Sequence, residues 1–250
     1  MIAPESDDTS GVAVMFGWRG RLGVVVPSSN TTVEGEFGRV LPEGVSLHTA
    51  RMPLESVTVD ELDTMADDAV GCAERLSHAD VDAIAYACTT GSLLHGPGFD
   101  AELEDALAEA AGVPAVATAL SVKRALSALD ATRIVVVTPY TAELNDREES
   151  YLNDAGFEVV ELDGHGITAN TDIGSLSADD AYRQVRKTVS DPSTVDAVFV
   201  SCTNYRTLPA IEPLESDLGI PVVTSNQATL WDALGRVSVS ADVPGAVGER

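Results

Sequence analysis

The chain has 250 residues, 44% of them hydrophobic, and carries 40 acidic against 15 basic side chains, a formal net charge of −25. That much apolar surface is enough to bury a core, so the acidity does not mark a disordered chain, while the charge opposes nucleic acid and anionic membrane surfaces, which need a Lys/Arg face. Lys123 and Lys187 are the only lysines, and acidity with so little lysine points to adaptation to high salt, where surface charge is screened.

The first apolar stretch, Gly11 to Trp18, is short and follows Glu5, Asp7 and Asp8, unlike a secretory signal. No stretch reaches the ~18 apolar residues of a membrane span. A start at Met15 is compatible with the absence of strand or helix pattern before Arg19. From there, short β-branched runs alternate with amphipathic ones. Strands are predicted at Leu22–Val26, Val45–Met52, Val81–Ala87, Val113–Ala117, Ile134–Val137, Phe157–Leu162, Val195–Val200 and Ile220–Val223. Between them Val59–Ser77, Asp100–Ala111, Ser121–Leu129 and Ala178–Val189 read as helices; Leu103, Ala106, Leu107 and Ala110, for instance, recur at helical spacing. Alternation of this kind predicts an α/β protein with parallel sheets covered by helices on both faces.

The chain also repeats itself once. Val24-Val25-Val26-Pro27 is matched by Val135-Val136-Val137-Thr138, and Gly44-Val45 by Gly156-Phe157. Val81-Asp82-Ala83-Ile84-Ala85-Tyr86-Ala87-Cys88-Thr89 is matched by Val195-Asp196-Ala197-Val198-Phe199-Val200-Ser201-Cys202-Thr203, and Gly112-Val113-Pro114 by Gly219-Ile220-Pro221. The four matches keep their order at an offset of about 110 residues. They predict two similar lobes over residues 19–120 and 121–235, each a parallel sheet flanked by helices, related by a pseudo-twofold axis with the active site between them. The segments 1–18 and 236–250 read as tails.

Three cysteines, an odd number in a chain of this length, predict free thiols and a reducing, cytoplasmic setting. Cys72 lies inside a helical pattern and reads as a small core residue. Cys88 and Cys202 each end an apolar strand, where the crevice of an open parallel sheet lies, and the pseudo-twofold sets them facing each other. Backbone N–H groups of Thr89-Thr90-Gly91-Ser92 and of Thr203-Asn204-Tyr205 are placed to form anion nests there. Such nests lower a thiol pKa and hold a carboxylate. Asn30 ends the first strand and is open to two roles, a donor into the crevice or a cap for the helix beginning near Thr31. Tyr140 follows the equivalent strand and either offers a phenolic hydroxyl or packs. No phosphate-binding glycine motif is present, and His48, His78, His95 and His165 show no metal-ligand spacing, so neither cofactor nor metal is expected. The carboxylates are too numerous for any pair to stand out, and most read as solvated surface.

Two duplicated α/β halves with paired strand-end cysteines resemble the aspartate/glutamate racemase superfamily. Val26-Pro27-Ser28-Ser29-Asn30-Thr31-Thr32-Val33-Glu34 is similar to the N-terminal motif of its maleate cis-trans isomerase and arylmalonate decarboxylase branch. Ala87-Cys88-Thr89-Thr90-Gly91-Ser92 and Ser201-Cys202-Thr203-Asn204 resemble its two cysteine segments. Thr138-Pro139-Tyr140, Asn170 and Thr224-Ser225-Asn226-Gln227 match as well. The resemblance implies a cofactor-independent isomerase of a small unsaturated dicarboxylate, such as maleate. Cys88 would add as thiolate to the double bond, Cys202 would handle the proton, and Ser28, Asn30, Thr89, Thr90, Tyr140, Asn170 and Thr203 would bind the substrate. The alternative it allows is a racemase or epimerase of an acidic amino acid by two-cysteine proton transfer. Less favoured are a decarboxylase, whose relatives carry only the second cysteine, and a silent carboxylate-binding protein. The expected partner is a small carboxylate; a homodimer is compatible with the resemblance.

Overall fold

The computed structural model describes residues 16–250, apart from the side chains of Thr64, Ala66 and Asp67. Most of the expected tail 1–18, with the alternative start at Met15, therefore lies outside the described residues. In the first half β1 (Gly20–Pro27), β2 (Val45–Met52), β3 (Ala83–Tyr86) and β4 (Ala115–Ala117) form a parallel sheet in the order β2-β1-β3-β4. In the second half β5 (Arg133–Thr138), β6 (Glu158–Gly164), β7 (Ala197–Val200) and β8 (Val222–Thr224) repeat that order as β6-β5-β7-β8, again all parallel. All eight predicted strands are present. The last strand of each sheet starts later than predicted because a proline precedes it. Pro114 and Pro221 have no N–H for the ladder, although their carbonyls still accept from Ile84 and Val198.

Among the described residues the strands are connected or followed by ten α-helices: α1 (Val33–Val40), α2 (Val59–Ser77), α3 (Thr89–Leu93), α4 (Phe99–Ala111), α5 (Thr118–Ala128), α6 (Ala142–Asp154), α7 (Asn170–Gly174), α8 (Ala178–Thr188), α9 (Leu208–Leu218) and α10 (Ser225–Arg236). The repeat is visible at their ends: α4 and α9 stop at Gly112 and Gly219, both at φ 70°, a left-handed conformation that only glycine adopts freely. No helix among the described residues is long and apolar enough to cross a membrane.

One face of the first sheet packs on α2 and α4, and the corresponding face of the second on α8 and α9. The opposite faces exchange partners. Leu22, Val24, Ala83 and Ala85 of the first sheet are covered by Phe37 of α1 and by Leu230, Ala233 and Leu234 of α10, a helix that follows the last strand of the second half. Ile134, Val136 and Phe199 of the second sheet are covered by Tyr151 and Leu152 of α6 and by Val122, Ala125 and Leu126 of α5. The two exchanged helices also bind each other, through Arg124 Nη1 to Asp232 Oδ2 at 2.6 Å, Ser121 Oγ to the same oxygen at 2.9 Å and Thr229 Oγ1 to Thr118 Oγ1 at 2.9 Å. The sheets thus share a central helix pair, and α10 lies on the first lobe rather than on the second, where sequence order put it.

Residues 236–250 are not the tail that the sequence suggested. Val243 and Val247 are buried, Gln227 Nε2 donates to the Pro244 carbonyl at 2.6 Å, and the Ala246 N–H reaches the Glu215 carboxylate at 3.1 Å. This segment seals the outer edge of α10. Its few apolar residues carry no periodicity, which is why the sequence did not reveal that it docks.

Candidate active site

The carboxyl ends of β3 and β7 bring Cys88 and Cys202 to one narrow cavity, lined also by Asn30, Thr89, Thr90, Tyr140, Asn170 and Thr203 from the predicted set. Pro27, Leu54, Val57 and Asn204 complete the wall, which holds no Lys, Arg or His. Ser28 is not in it. Its exposed side chain bonds the backbone of Leu54, accepting from the N–H at 3.1 Å and donating to the carbonyl at 3.3 Å, and so shapes the loop after β2.

That loop was not recognised in the sequence as part of the site. It crosses to the other lobe, where the Val57 N–H donates to the Thr168 carbonyl at 2.8 Å and the Asn170 N–H to the Glu55 carbonyl at 3.1 Å. It thereby sets Leu54 and Val57 over the thiols. The signal available was a short apolar pair, Leu54 and Val57, between a predicted strand and helix, too brief to carry any period.

The polar residues are spent largely on one another. Asn30 takes the capping role: Oδ1 accepts from the N–H groups of Thr32 at 2.9 Å and Val33 at 3.0 Å, while Nδ2 donates to Thr203 Oγ1 within the wall at 3.3 Å. The helix it caps begins at Val33. Thr203 in turn donates to the Ala87 carbonyl at 3.0 Å. Asn204 Oδ1 accepts from the Thr31 N–H at 2.8 Å, and its amide donates to the Asn170 carbonyl at 2.6 Å. Thr89 Oγ1 donates to Ser225 Oγ at 2.8 Å, which also accepts the Cys202 N–H at 3.0 Å. Each of these bonds crosses between lobes or holds a strand end. Together they fix the cavity wall in one arrangement before any ligand arrives.

The two thiols sit in unlike backbones. Cys88 is extended, at φ −147°, and immediately precedes α3. Gly91, one turn on, permits the close approach of that helix; a Cβ there would stand 2.5 Å from Tyr86 Oη and 3.2 Å from Cys88 Sγ. Cys202 has φ +95°, in the region that a side chain rarely adopts, and is followed by a turn. Strain of this kind is held by its surroundings, here by the Ser225 acceptor and by the Tyr205 N–H, which donates to the Cys202 carbonyl at 3.2 Å.

Burial pushes the Cys88 thiol up to about 11, against the opposing pull of the Gly91 amide and the Thr90 hydroxyl, whose oxygen is 3.9 Å from the sulfur. Burial pushes Cys202 further, to about 12, although the Tyr140 hydroxyl and the Asn204 N–H, at 3.3 Å, both donate to its sulfur. N–H groups of the expected nests, those of Gly91 and Asn204, do act on the thiols, but burial outweighs them, so the thiols are raised rather than lowered as the sequence suggested. Tyr140 is fully buried, and its phenol is held well above the ordinary range by burial first and by the Cys202 charge next. Packing and donation, the two alternatives read from the sequence, are both realised in this one side chain.

Two parallel-sheet lobes with a strand-end thiol from each in a shared, donor-lined cavity define a duplicated α/β enzyme fold that works through a cysteine pair. The model of the arylmalonate decarboxylase family matches residues 22–248, and the chain belongs to that family. It is 32% identical over 236 residues to the maleate isomerase of Nocardia farcinica, covering 90% of this chain and 93% of that protein. Among solved structures, a maleate isomerase of Pseudomonas putida with maleate superposes with a TM-score of 0.87 at 28% identity, covering 92% of this chain and 97% of that one. A cysteine-to-serine variant of the Nocardia farcinica maleate cis-trans isomerase, holding a covalently bound succinylcysteine intermediate, superposes at 0.86 with 29% identity and covers 92% and 98%.

Proposed function

We propose that this protein is a cofactor-independent cis-trans isomerase of a small unsaturated dicarboxylate, of the maleate-to-fumarate type. The observation that carries the reading is the presence of two thiols, one from each lobe, in a single cavity whose polar wall consists of amide and hydroxyl groups. An alkene flanked by carboxylates is an electrophile for a thiolate, and neutral donors can hold its charge in a site without basic side chains. The Cys88 thiolate adds to one alkene carbon, and the π pair moves toward the neighbouring carboxylate. The Cys202 thiol delivers its proton to the adjacent carbon. The former double bond is now single and rotates. The Cys202 thiolate takes the proton back, the C–S bond breaks, and its electron pair returns to Cys88 as the trans isomer leaves. No proton or electron is gained or lost over the cycle.

Cys88 is taken as the nucleophile and Cys202 as the proton carrier, as the family resemblance implies, and burial holds both thiols well above the ordinary range. Asn30, Thr90 and Asn170 line the cavity where the carboxylates would lie, and Tyr140 donates to the sulfur that must give up its proton. Proton NMR of maleate with the enzyme in D2O at molar KCl should show conversion to fumarate. No conversion, with deuterium instead entering Cα of aspartate or glutamate, would replace this reading with the racemase.

The net charge of −25 supports a further part of the proposal, that the protein is built for a salty interior. All three cysteines are free and buried, which supports a reducing, cytoplasmic setting. The urea midpoint should fall as KCl is lowered from molar to about 10 mM, where the screening length reaches ~30 Å; a midpoint independent of KCl would remove the salt argument.

A further inference from the structure

Most buried acids of this protein are well supplied with partners. Asp100, Glu104 and Asp232 pair with Lys123 or Arg124, and Glu36 accepts from the N–H groups of Thr207 and Leu208 and from the Asn226 amide. Glu148 differs. It is fully buried on α6; among the described residues Oε1 accepts only the Ser201 hydroxyl, at 2.6 Å, and Oε2 has no hydrogen-bond partner. No basic side chain among the described residues lies within ion-pair distance of it. Glu148 lies at a narrow, mostly apolar gap between α6, α5 and Thr89.

Its position gives it a target. Ser201 directly precedes Cys202, and the Tyr140 phenol, which donates to Cys202, lies in the field of the Glu148 carboxylate. One turn earlier on the same helix, Asn145 Oδ1 accepts from Thr138 Oγ1 at 2.6 Å, two residues before Tyr140. The inner face of α6 therefore holds the backbone behind both Tyr140 and Cys202. In the first lobe the repeat sets Phe37 in the place of Glu148 and Ala87 in the place of Ser201, and both are packed in an apolar cluster. The thiols are equivalent by the repeat, but only one has an acid behind it.

We propose that Glu148 is a positioning residue that distinguishes the two thiols: its carboxylate, held against Ser201, keeps Cys202 protonated so that Cys88 alone becomes the nucleophile. The inference rests on the cysteine roles given above. A negative charge beside a thiol disfavours the thiolate, and at a buried site salt screens the effect little. Burial moves the Glu148 acid up to about 7, against the Ser201 bond, so it changes charge in the range where an enzyme works. The other groups around it offer no compensating cation. Tyr140 faces it from the loop after β5; on its own helix Tyr151 donates to Asp100, which is paired with Lys123, and Arg124 on α5 is taken by Glu104 and Asp232.

Competitive labelling by methyl methanethiosulfonate, read at each cysteine by peptide mass spectrometry from about pH 5.5 to 9.5, tests the coupling directly. Glu148→Gln keeps an acceptor for Ser201 and removes the charge. It should raise Cys202 labelling relative to Cys88 about tenfold above pH 8, and wild type and variant should converge below about pH 6, where the wild-type Glu148 is itself neutral. Ser201→Ala keeps the acid but removes the bond that favours its charged form, so the change in labelling ratio should move to higher pH. Coincident wild-type and Glu148→Gln ratios at every pH, or a constant offset between them, would overturn the proposal, because packing alone does not titrate. The alkaline limb of kcat on maleate should move to lower pH in Glu148→Gln. Labelling that shifts in a protein inert toward maleate would sink the substrate reading and leave the coupling; turnover of maleate with coincident labelling would do the reverse.

Discussion

The two lobes share strand order, helix ends and a strand-end cysteine, yet they treat that cysteine differently. Cys88 leaves an extended strand straight into α3, with apolar Ala87 and Phe37 behind it. Cys202 is held at φ +95° in a turn, with a hydroxyl and an acid behind it and a tyrosine donating to its sulfur. Duplication supplied two thiols in symmetric places, and the neighbours removed the symmetry. A reaction that needs one nucleophile and one proton carrier needs that difference, because two identical thiols would exchange roles at random.

The most severe way to probe the comparison is to remove each sulfur in turn. Cys88→Ser and Cys202→Ser should each lower kcat by roughly 10³-fold or more, but only Cys202→Ser should form a covalent adduct with the mass of maleic acid on the remaining site cysteine. An adduct in Cys88→Ser instead would invert the assignment; intact mass after incubation with maleate decides it.

The acid on one side alone should also be visible in stability. A carboxyl raised from 4.5 to about 7 keeps its proton in the native state after the unfolded chain has lost it, so the penalty grows from pH 4.5 to 7 and is complete above 7. Glu148→Gln should therefore stabilise the protein by roughly 3 kcal/mol at pH 8 and by under about 1 kcal/mol at pH 5. Urea unfolding in molar KCl at the two pH values measures this, and an equal gain at both would remove the asymmetry of charge.

Smaller effects concern the donors. Tyr140→Phe takes the hydroxyl from Cys202, with an expected loss of roughly 10²-fold in kcat; steady-state rates near the wild-type value would mean that the tyrosine only packs. Ser225→Ala strips the Cys202 N–H of its acceptor and Thr89 of its own, and should lower stability by about 1–2 kcal/mol. Chemical denaturation reads that change, and no loss would show that the strained Cys202 backbone is held by other bonds.

Much of this arrangement was legible along the chain. The eight strands announce themselves through runs of β-branched residues, and the repeat announces itself through short local matches, so parallel lobes with paired thiols follow without coordinates. Asn30, Thr89, Thr90, Tyr140 and Thr203 reach the cavity because each follows a strand end closely, a position that topology makes functional, whereas Asn170, at the start of α7, was found only through the family resemblance. Ser28 stands in the same kind of position and fails, because its hydroxyl is satisfied by Leu54 first. Glu148 was lost among the carboxylates, although a signal was present: it interrupts the buried stripe of Leu144, Tyr151 and Leu152 on α6, where an apolar residue would be expected.

The net charge and scarcity of lysine, the duplicated α/β order and the two strand-end cysteines belong to the sequence alone, because composition and short-range periodicity are properties of neighbours along the chain. The tertiary structure alone decided that α10 crosses to the first lobe and that residues 236–250 dock. It also decided that Glu148 is shut away from water behind one thiol while most acids remain solvated. Burial and hydrogen-bond partners come from residues distant in the chain, and it is desolvation, set by those partners, that separates a surface charge from one able to tell two cysteines apart.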